Sequence, residues 1–390
     1  MAKNTKLSEA KSKKNDEFYT QYADIEKEVN AYLEYDPDTF RGKTVLLPCD
    51  DPEWSNFTIF FAQNFARLGL KKLISTSYAP ASKNFNWHSG PTEFEQESPL
   101  FDCVKSKACG KIFVLEKDIT GDGIINHDDL EWNYLDGDGD FRSEVVCKLR
   151  DESDIIVTNP PFSLFREFLA WLVQGGKKFL MIGNMNAITY KEVFPLLKDN
   201  QMWLGNGFAG GNAYFMVPEG TAREYATGVY DAERGMVHFR NCAWFTNMEH
   251  GKRHRPLELM SLQDNLKFSR HKDIKGSTGY RKYDNYDAIE VPYTDAIPSD
   301  YPGVMGVPIS FLDKYCPEQF EIMGMCENED LYDLKTRVYT RQECKDAYFA
   351  KFGKQGSYDL NASGVLTIEG KQEKVYQRIL IRKIQPKNKK

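Results

Sequence analysis

A chain of 390 residues with 41% hydrophobic and 28% charged residues is long enough for two or three domains and has the composition of a globular protein, not of a disordered or fibrous one. Its net charge of −6 argues against a nucleic-acid coat protein, no apolar run approaches membrane-spanning length, and the polar opening Met1 to Lys6 predicts no secretory signal. Eight cysteines without a Cys-x-x-Cys pair are read as reduced thiols of a cytoplasmic protein, neither a disulfide frame nor a zinc site.

Residues 1–16 read as a mobile basic arm carrying Lys3, Lys6, Lys11, Lys13 and Lys14, followed by a helical stretch from about Ile25 to Leu33. Lys43–Leu47 predicts a first strand, ending at Pro48-Cys49-Asp50-Asp51-Pro52. Ser55 or Asn56 can cap the next helix, whose Phe57, Phe60, Phe61, Phe65 and Leu68 fall on one face. Lys72–Thr76 predicts a second strand, residues 79–110 an irregular excursion at the sheet's edge, and Lys111–Leu115 a further strand. An acidic, glycine-rich segment then runs from Asp118 to Phe141. Strand Asp154–Thr158, helix Ser163–Leu172 and strand Lys178–Gly183 follow, then strands Gln201–Leu204 and Cys242–Thr246. Strand and helix alternating from 43 to 183 predict an α/β fold with a mostly parallel, doubly wound sheet. From about 250 the sequence turns basic, Tyr-rich and Pro-rich with weak periodicity, so the expected domains are 17–250 and 251–390 behind the arm 1–16.

The most informative residues are Asn159-Pro160-Pro161-Phe162, set directly between a strand and a helix. That is the carboxyl end of a strand in an α/β sheet, where such sheets place ligands. Two prolines fix the backbone and leave its carbonyls without competing N–H groups beside them. With an amide on one flank and an aromatic ring on the other, the turn forms a clamp for a flat group bearing an exocyclic NH2. Asn159 and a proline carbonyl accept its two N–H bonds, and Phe162 stacks on its face. The plainer alternative is a proline-stiffened turn after a core strand.

Three other segments bear on chemistry. Asp50-Asp51 stand at the end of the first strand and ahead of a helix start, where a nucleoside cofactor would lie, although no Gly-x-Gly-x-x-Gly supports a dinucleotide. In Asp138-Gly139-Asp140-Phe141, an Asp that accepts from an adenine amino group beside a Phe that stacks on its ring would suit adenosine, and a glycine-rich turn is the alternative. Asp118 to Asp129 resembles a calcium loop, with Asp118, Thr120, Asp122, Asn126 and Asp129 at ligand positions and Gly123 at the turn. It departs from that pattern at Thr120 and at Asp129, which replaces a bidentate Glu, so a surface loop is the favoured reading and no metal is assigned. The six histidines show no ligand spacing, and neither a Gly-x-Ser-x-Gly nor a Walker lysine loop appears.

Charge is unevenly distributed. Residues 252–282 carry nine Lys/Arg against three Asp/Glu, and residues 371–390 eight against one. On an acidic protein these segments point to phosphate contacts, with Lys252, Arg253, Arg255, Lys267, Arg270 and Lys272 as the candidate residues and a solvated face as the plainer alternative for any one run.

With these residues on the page, the chain resembles the EcoRI-type adenine-specific DNA methyltransferases through most of its length. The matching stretches include Asp16 to Thr20, Cys49 to Pro52, Gly139 to Ser143, Val157 to Glu167, Ile182-Gly183-Asn184, Trp244 to Asn247, Tyr283 to Asp287 and Met305 to Pro308. The resemblance implies a Rossmann-like methyltransferase sheet followed by a mixed carboxy-terminal target-recognition region. It implies an S-adenosylmethionine-dependent enzyme that methylates N6 of an adenine flipped out of a specific sequence in double-stranded DNA, as in restriction–modification or in host or phage DNA protection. Asn159, Pro160, Pro161 and Phe162 would be the catalytic clamp. Phe18, Tyr19, Thr20, Cys49, Asp50, Asp51, Asp140, Phe141 and Asn159 would hold the cofactor. A cognate restriction endonuclease acting separately on the same site fits this picture, and a membrane partner does not.

Two departures from the family pattern stand out. Cys49-Asp50-Asp51-Pro52-Glu53 replaces the Gly-rich loop after the first strand, and Ser75-Thr76-Ser77-Tyr78 offers no acid after the second. An RNA or protein-glutamine methyltransferase would use the same clamp, and a catalytically silent DNA-binding relative would keep the same fold. The basic carboxy-terminal region favours nucleic acid, and the intact tetrad favours an active enzyme.

Overall fold

The computed structural model describes residues 19–50, 55–79, 93–208, 212–216, 229–231 and 234–385. It divides into two compact units, Met1–Leu197 with Gln201–Gly251, and Lys198–Asn200 with Lys252–Lys390. Among the described residues, the helices of eight residues or more are α1 (Tyr22–Tyr35), α2 (Asn56–Gln63), α3 (Glu144–Glu152), α4 (Phe165–Gln174) and α5 (Arg341–Phe352), and none is long and apolar enough to cross a membrane.

The strands of the first unit are β1 (Tyr19–Thr20), β2 (Thr44–Leu47), β3 (Lys72–Thr76), β4 (Lys111–Leu115), β5 (Glu131–Tyr134) and β6 (Ile155–Thr158). They continue with β7 (Lys178–Asn184), β8 (Trp203–Leu204), β9 (Asn212–Met216), β10 (Tyr230–Asp231), β11 (Met236–Arg240) and β12 (Cys242–Thr246). All seven strands expected from the sequence are present, with ends shifted by no more than two residues.

Eight strands form one sheet in the order β5-β4-β3-β2-β6-β7-β12-β8. Its central strands β3, β2, β6 and β7 are mutually parallel, and both flanks are antiparallel. The sheet is therefore more mixed than its strand–helix alternation suggests. The reason is local on one flank: the Ser77 N–H bonds the Lys111 carbonyl at 2.9 Å, so β4 begins at the edge where β3 ends and returns beside it. Burial follows the arrangement. β2 and β6 are buried at every residue, as strands covered on both faces must be, whereas β4 alternates.

Period-two alternation sorts the side chains between the two faces. On one face Val45, Leu47, Leu73, Val157, Leu180 and Ile182 join Ile25, Val29 and Tyr32 of α1 and Phe57, Phe60 and Phe61 of α2 in one core cluster. On the other, the Phe165 ring of α4 meets Phe245 of β12 at 5.1 Å. Helices thus cover both faces. β2 leads to its neighbour β3 on one side while β6 leads to β7 on the other. The crevice beyond the carboxyl ends of β2 and β6 is the sheet's topological switch point, the place where open α/β sheets bind ligands.

A second, antiparallel sheet, β1-β9-β11-β10, adds strands that the strand–helix alternation does not predict. β1 pairs Thr20 with Phe215, and β9 pairs Phe215 with Val237.

The second unit holds β13 (Ala288–Glu290), β14 (Val304–Pro308), β15 (Phe320–Met325), β16 (Val365–Ile368), β17 (Lys371–Lys374) and β18 (Arg378–Lys383). Four of them form a sheet in the order β13-β14-β18-β15, and β16 and β17 form a hairpin. A buried pair, Arg378 to Glu290 at 2.6 Å, lies in this unit, and Tyr283 donates its hydroxyl to the same carboxylate. The helix α5 opens on a capping box between Thr340 and Glu343.

Candidate active site

The register of β2 against β6, Val45 to Ile155 and Leu46 to Ile156, brings Pro48-Cys49-Asp50 beside Thr158-Asn159-Pro160 as the two strands end. Asp50 is buried. Its carboxylate accepts from Ser55 Oγ at 2.9 Å, and its carbonyl accepts from Ser75 Oγ of β3. Thr76 Oγ1 donates to the Pro48 carbonyl at 3.1 Å. The Ser75-Thr76 pair, which lacks the expected acid, thus braces the turn after β2 from below. Ser55 also caps α2, accepting from the Phe57 N–H. Asp51 and Phe18 lie outside the described residues.

In the tetrad, Asn159, Pro161 and Phe162 are half-buried and Pro160 is buried. The Pro161 carbonyl accepts the Leu164 N–H at 2.9 Å and starts the single 3-10 turn that leads into α4. The Pro160 carbonyl accepts no hydrogen bond from the described residues. Phe162 is held edge-on by Phe239 at 5.9 Å and by Phe215 at 6.4 Å. Since Phe215 pairs with Thr20, the small sheet joins the tetrad to the amino-terminal segment Tyr19-Thr20. That segment is also tied to α2, because Asn56 Nδ2 donates to the Thr20 carbonyl at 2.8 Å. The structure therefore brings Thr20, Cys49, Asp50 and the tetrad together.

Asp140 and Phe141 reach the same edge of the sheet by way of Gly139. Gly139 has a φ of +81°, and a Cβ there would sit 2.2 Å from the Ser77 carbonyl oxygen just beyond β3. The Asp138 carbonyl accepts the Ala79 N–H at 2.8 Å and holds the two segments together. Asp140 is engaged by Arg142 through both carboxylate oxygens, and this pairing raises the Arg142 pKa. Phe141 is buried, with its ring against Phe168 at 5.0 Å and Trp171 at 5.8 Å and the Arg142 guanidinium over it. Its ring packs under α4 in the core. Arg142 lies in the Gly139 to Ser143 stretch that carries the family resemblance, but a cation two residues after an acid gives no local signal of this bidentate pairing.

The loop from Asp118 to Asp129 is closed by its own backbone. Asp118 accepts from the N–H groups of Gly121 at 2.6 Å and Gly123 at 2.8 Å, Asp122 from that of Ile124 and Asn126 from that of Asp128. Asp129 is buried and accepts from Ile119, Thr120 and Asn126. These donors, Thr120 foremost, hold its carboxyl down at about 2. Among the described residues no three His, Cys, Asp or Glu side chains are grouped to hold a metal ion.

The basic candidates of the second unit divide by exposure. Arg255, Lys267, Arg270 and Lys272 are exposed, with Arg270 paired to Asp295 at 2.9 Å. Lys252 is half-buried and paired to Asp313 at 2.7 Å. Arg253 corrects the reading of this segment as uniformly phosphate-facing. It is buried, with 7% of its surface exposed, and donates to Asn200 Oδ1 at 3.1 Å.

Comparison with known proteins bears on the whole arrangement. Residues 6–384 match the family model described as adenine-specific methyltransferase EcoRI. The chain is 43% identical to the type II methyltransferase M.EcoRI of Escherichia coli, an alignment that covers 85% of this chain and 93% of that protein. It is 33% identical to the type II methyltransferase M.MpnI of Mycoplasma pneumoniae, over 87% and 92% of the two chains. It is 31% identical to the type II methyltransferase M.MgeORF184P of Mycoplasma genitalium, over 97% and 99%. No solved structure matches the chain significantly. The protein, with its proline-stiffened tetrad at the switch point of a doubly wound sheet, belongs to the EcoRI family of adenine-specific methyltransferases.

Proposed function

We propose that this methyltransferase uses S-adenosylmethionine to methylate N6 of an adenine flipped out of double-stranded DNA, and that the crevice between the ends of β2 and β6 is where the two substrates meet. The observation that carries this reading is the juxtaposition of Asp50 and Asn159 at adjacent strand ends, with Thr20 joined to Phe162 through Phe215. An amine inside a base stack is unreachable, so the target must leave the duplex. Asn159 Oδ1 and the Pro160 carbonyl accept the two N6 hydrogens, and Phe162 stacks on the base. This holds the nitrogen lone pair outward, toward the methyl carbon. The cofactor, when bound, supplies that carbon as an electrophile on a sulfonium.

The donor set fits such a group. Asp50 and Asp140 are carboxylates suited to ribose hydroxyls or amino groups, and Thr20 and Cys49 line the same edge. Phe141 serves by packing the floor under Asp140, since its ring is already covered by Phe168 and Trp171. Orientation and exclusion of water carry the rate in this scheme, without a covalent enzyme intermediate. Exposed Arg255, Lys267, Arg270 and Lys272 dock phosphates, and the unit beginning at Lys252 reads the target sequence.

Base-resolved methylation mapping of DNA from cells expressing the chain tests the proposal. N6-methyladenine at one short sequence is expected, and its disappearance with Asn159→Ala, at undiminished DNA affinity, assigns the clamp. Methyl groups found on RNA or protein instead, or a mark that survives Asn159→Ala, would reject it.

A further inference from the structure

Glu28 is fully buried on α1, beside Ile25 and Tyr32 of the main core, and the chemistry above does not use it. Its Oε1 accepts the Asn206 N–H at 2.8 Å and the Tyr32 hydroxyl at 3.0 Å, and its Oε2 accepts the Gly207 N–H at 2.8 Å. Two successive backbone N–H groups aimed at one anion form a nest, and here the protein supplies the anion itself. The turn is shaped around it: a Cβ at Gly205 would lie 2.1 Å from Glu28 Oε1 and 2.8 Å from Trp244 Cβ.

The next residue carries this anchorage toward the tetrad. Phe208 stacks on Trp244 at 5.5 Å with 17° between the rings and meets Phe215 at 6.3 Å. Phe215 in turn meets Phe162. We propose that Glu28 is a positioning residue for methyl transfer: it fixes the 205–208 turn and, through Phe208 and Phe215, the ring of Phe162 on which the target base stacks. The inference rests on the assignment of Phe162 to the base clamp. A carboxylate that only held the fold would alter the melting temperature and the yield of folded protein. A positioning carboxylate alters the chemical step while ligand binding stays intact.

The test uses the full-length protein with Glu28→Gln, which keeps shape but turns an NH2 group against one of the N–H donors. Single-turnover methylation should fall about tenfold, because small displacements of a base-holding ring are costly to reaction geometry. Affinities for S-adenosylhomocysteine and for DNA should change by less than about twofold. Phe208→Leu should slow the step as well, and the double variant should be little slower than the worse single one, because both act along one path. A folded Glu28→Gln enzyme with full single-turnover rate would overturn the proposal, and so would losses that simply multiply. Should Glu28→Gln fail to fold, Phe208→Leu decides alone: an undiminished rate rejects the path. Phe162→Leu separates this from the reading beneath it. Full activity there removes the clamp itself, whereas a slow Phe162→Leu beside a fast Glu28→Gln and a fast Phe208→Leu removes only the role of Glu28.

Discussion

Arg142 lies along the Asp140 carboxylate with Nε 2.8 Å from Oδ1 and Nη2 2.6 Å from Oδ2, and its own backbone N–H closes on Oδ1 at 2.9 Å. A bidentate guanidinium fixes the plane of a carboxylate as well as its charge. Asp140 is therefore held in one orientation at the edge where the cofactor is proposed to bind, with Gly139 pressed against the Ser77 carbonyl behind it.

Arg142→Ala should weaken S-adenosylhomocysteine binding about fivefold, since a partly exposed ion pair is worth no more than about 1 kcal/mol. Arg142→Lys should recover only part of the loss, because an ammonium cannot hold both oxygens in a plane. Isothermal titration of the two variants measures this, and equal affinities for all three proteins would sink the idea.

Gly139→Ala places a methyl group on the Ser77 carbonyl at a φ of +81°. Left-handed strain and the clash together should lower stability by about 2 kcal/mol or more. The cofactor should bind more weakly too, as Asp140 shifts. Chemical denaturation and titration of the same preparation give both numbers.

Asp129 contributes through its depressed pKa. Its carboxyl sits at about 2, below an ordinary 3.8, chiefly because the Thr120 N–H stabilises the charged form. The stabilisation is present above the unfolded-state value and is lost as pH falls through the folded one. Asp129→Asn should melt at a lower temperature than the parent at pH 7, with the gap narrowing as pH falls from about 4 toward 2. A gap that stays constant over that range would show that charge plays no part. Thermal melts across the pH series supply the measurement.

Salt dependence separates the basic residues. Lys272→Ala and Arg255→Ala should each lower the slope of log K against log salt by about one while leaving stability unchanged. Arg253→Ala should leave the slope unchanged and lower the melting temperature, since Arg253 is buried against Asn200. Fluorescence anisotropy with duplex DNA at several salt concentrations reads the slopes.

The amino-acid sequence by itself determined seven of the eight strands of the large sheet and the stiff turn that follows β6. Thr44–Leu47, Ile155–Thr158 and Lys178–Asn184 are short apolar runs whose character is set within a few residues, and the Asn159 to Phe162 turn is stiffened by its own prolines. Only the tertiary structure decided which partners those elements meet. Thr20 pairs with Phe215, Phe215 and Phe239 close on Phe162, and Glu28 fastens Asn206 and Gly207. Each of these contacts joins residues far apart in the chain, and no local window of sequence records it. Arg253 illustrates the same limit: in sequence it is one cation among nine, and burial alone separates it from its exposed neighbours. Periodicity and backbone stiffness are properties of a segment, whereas burial, pairing and charge neutralisation are properties of what the fold brings beside it.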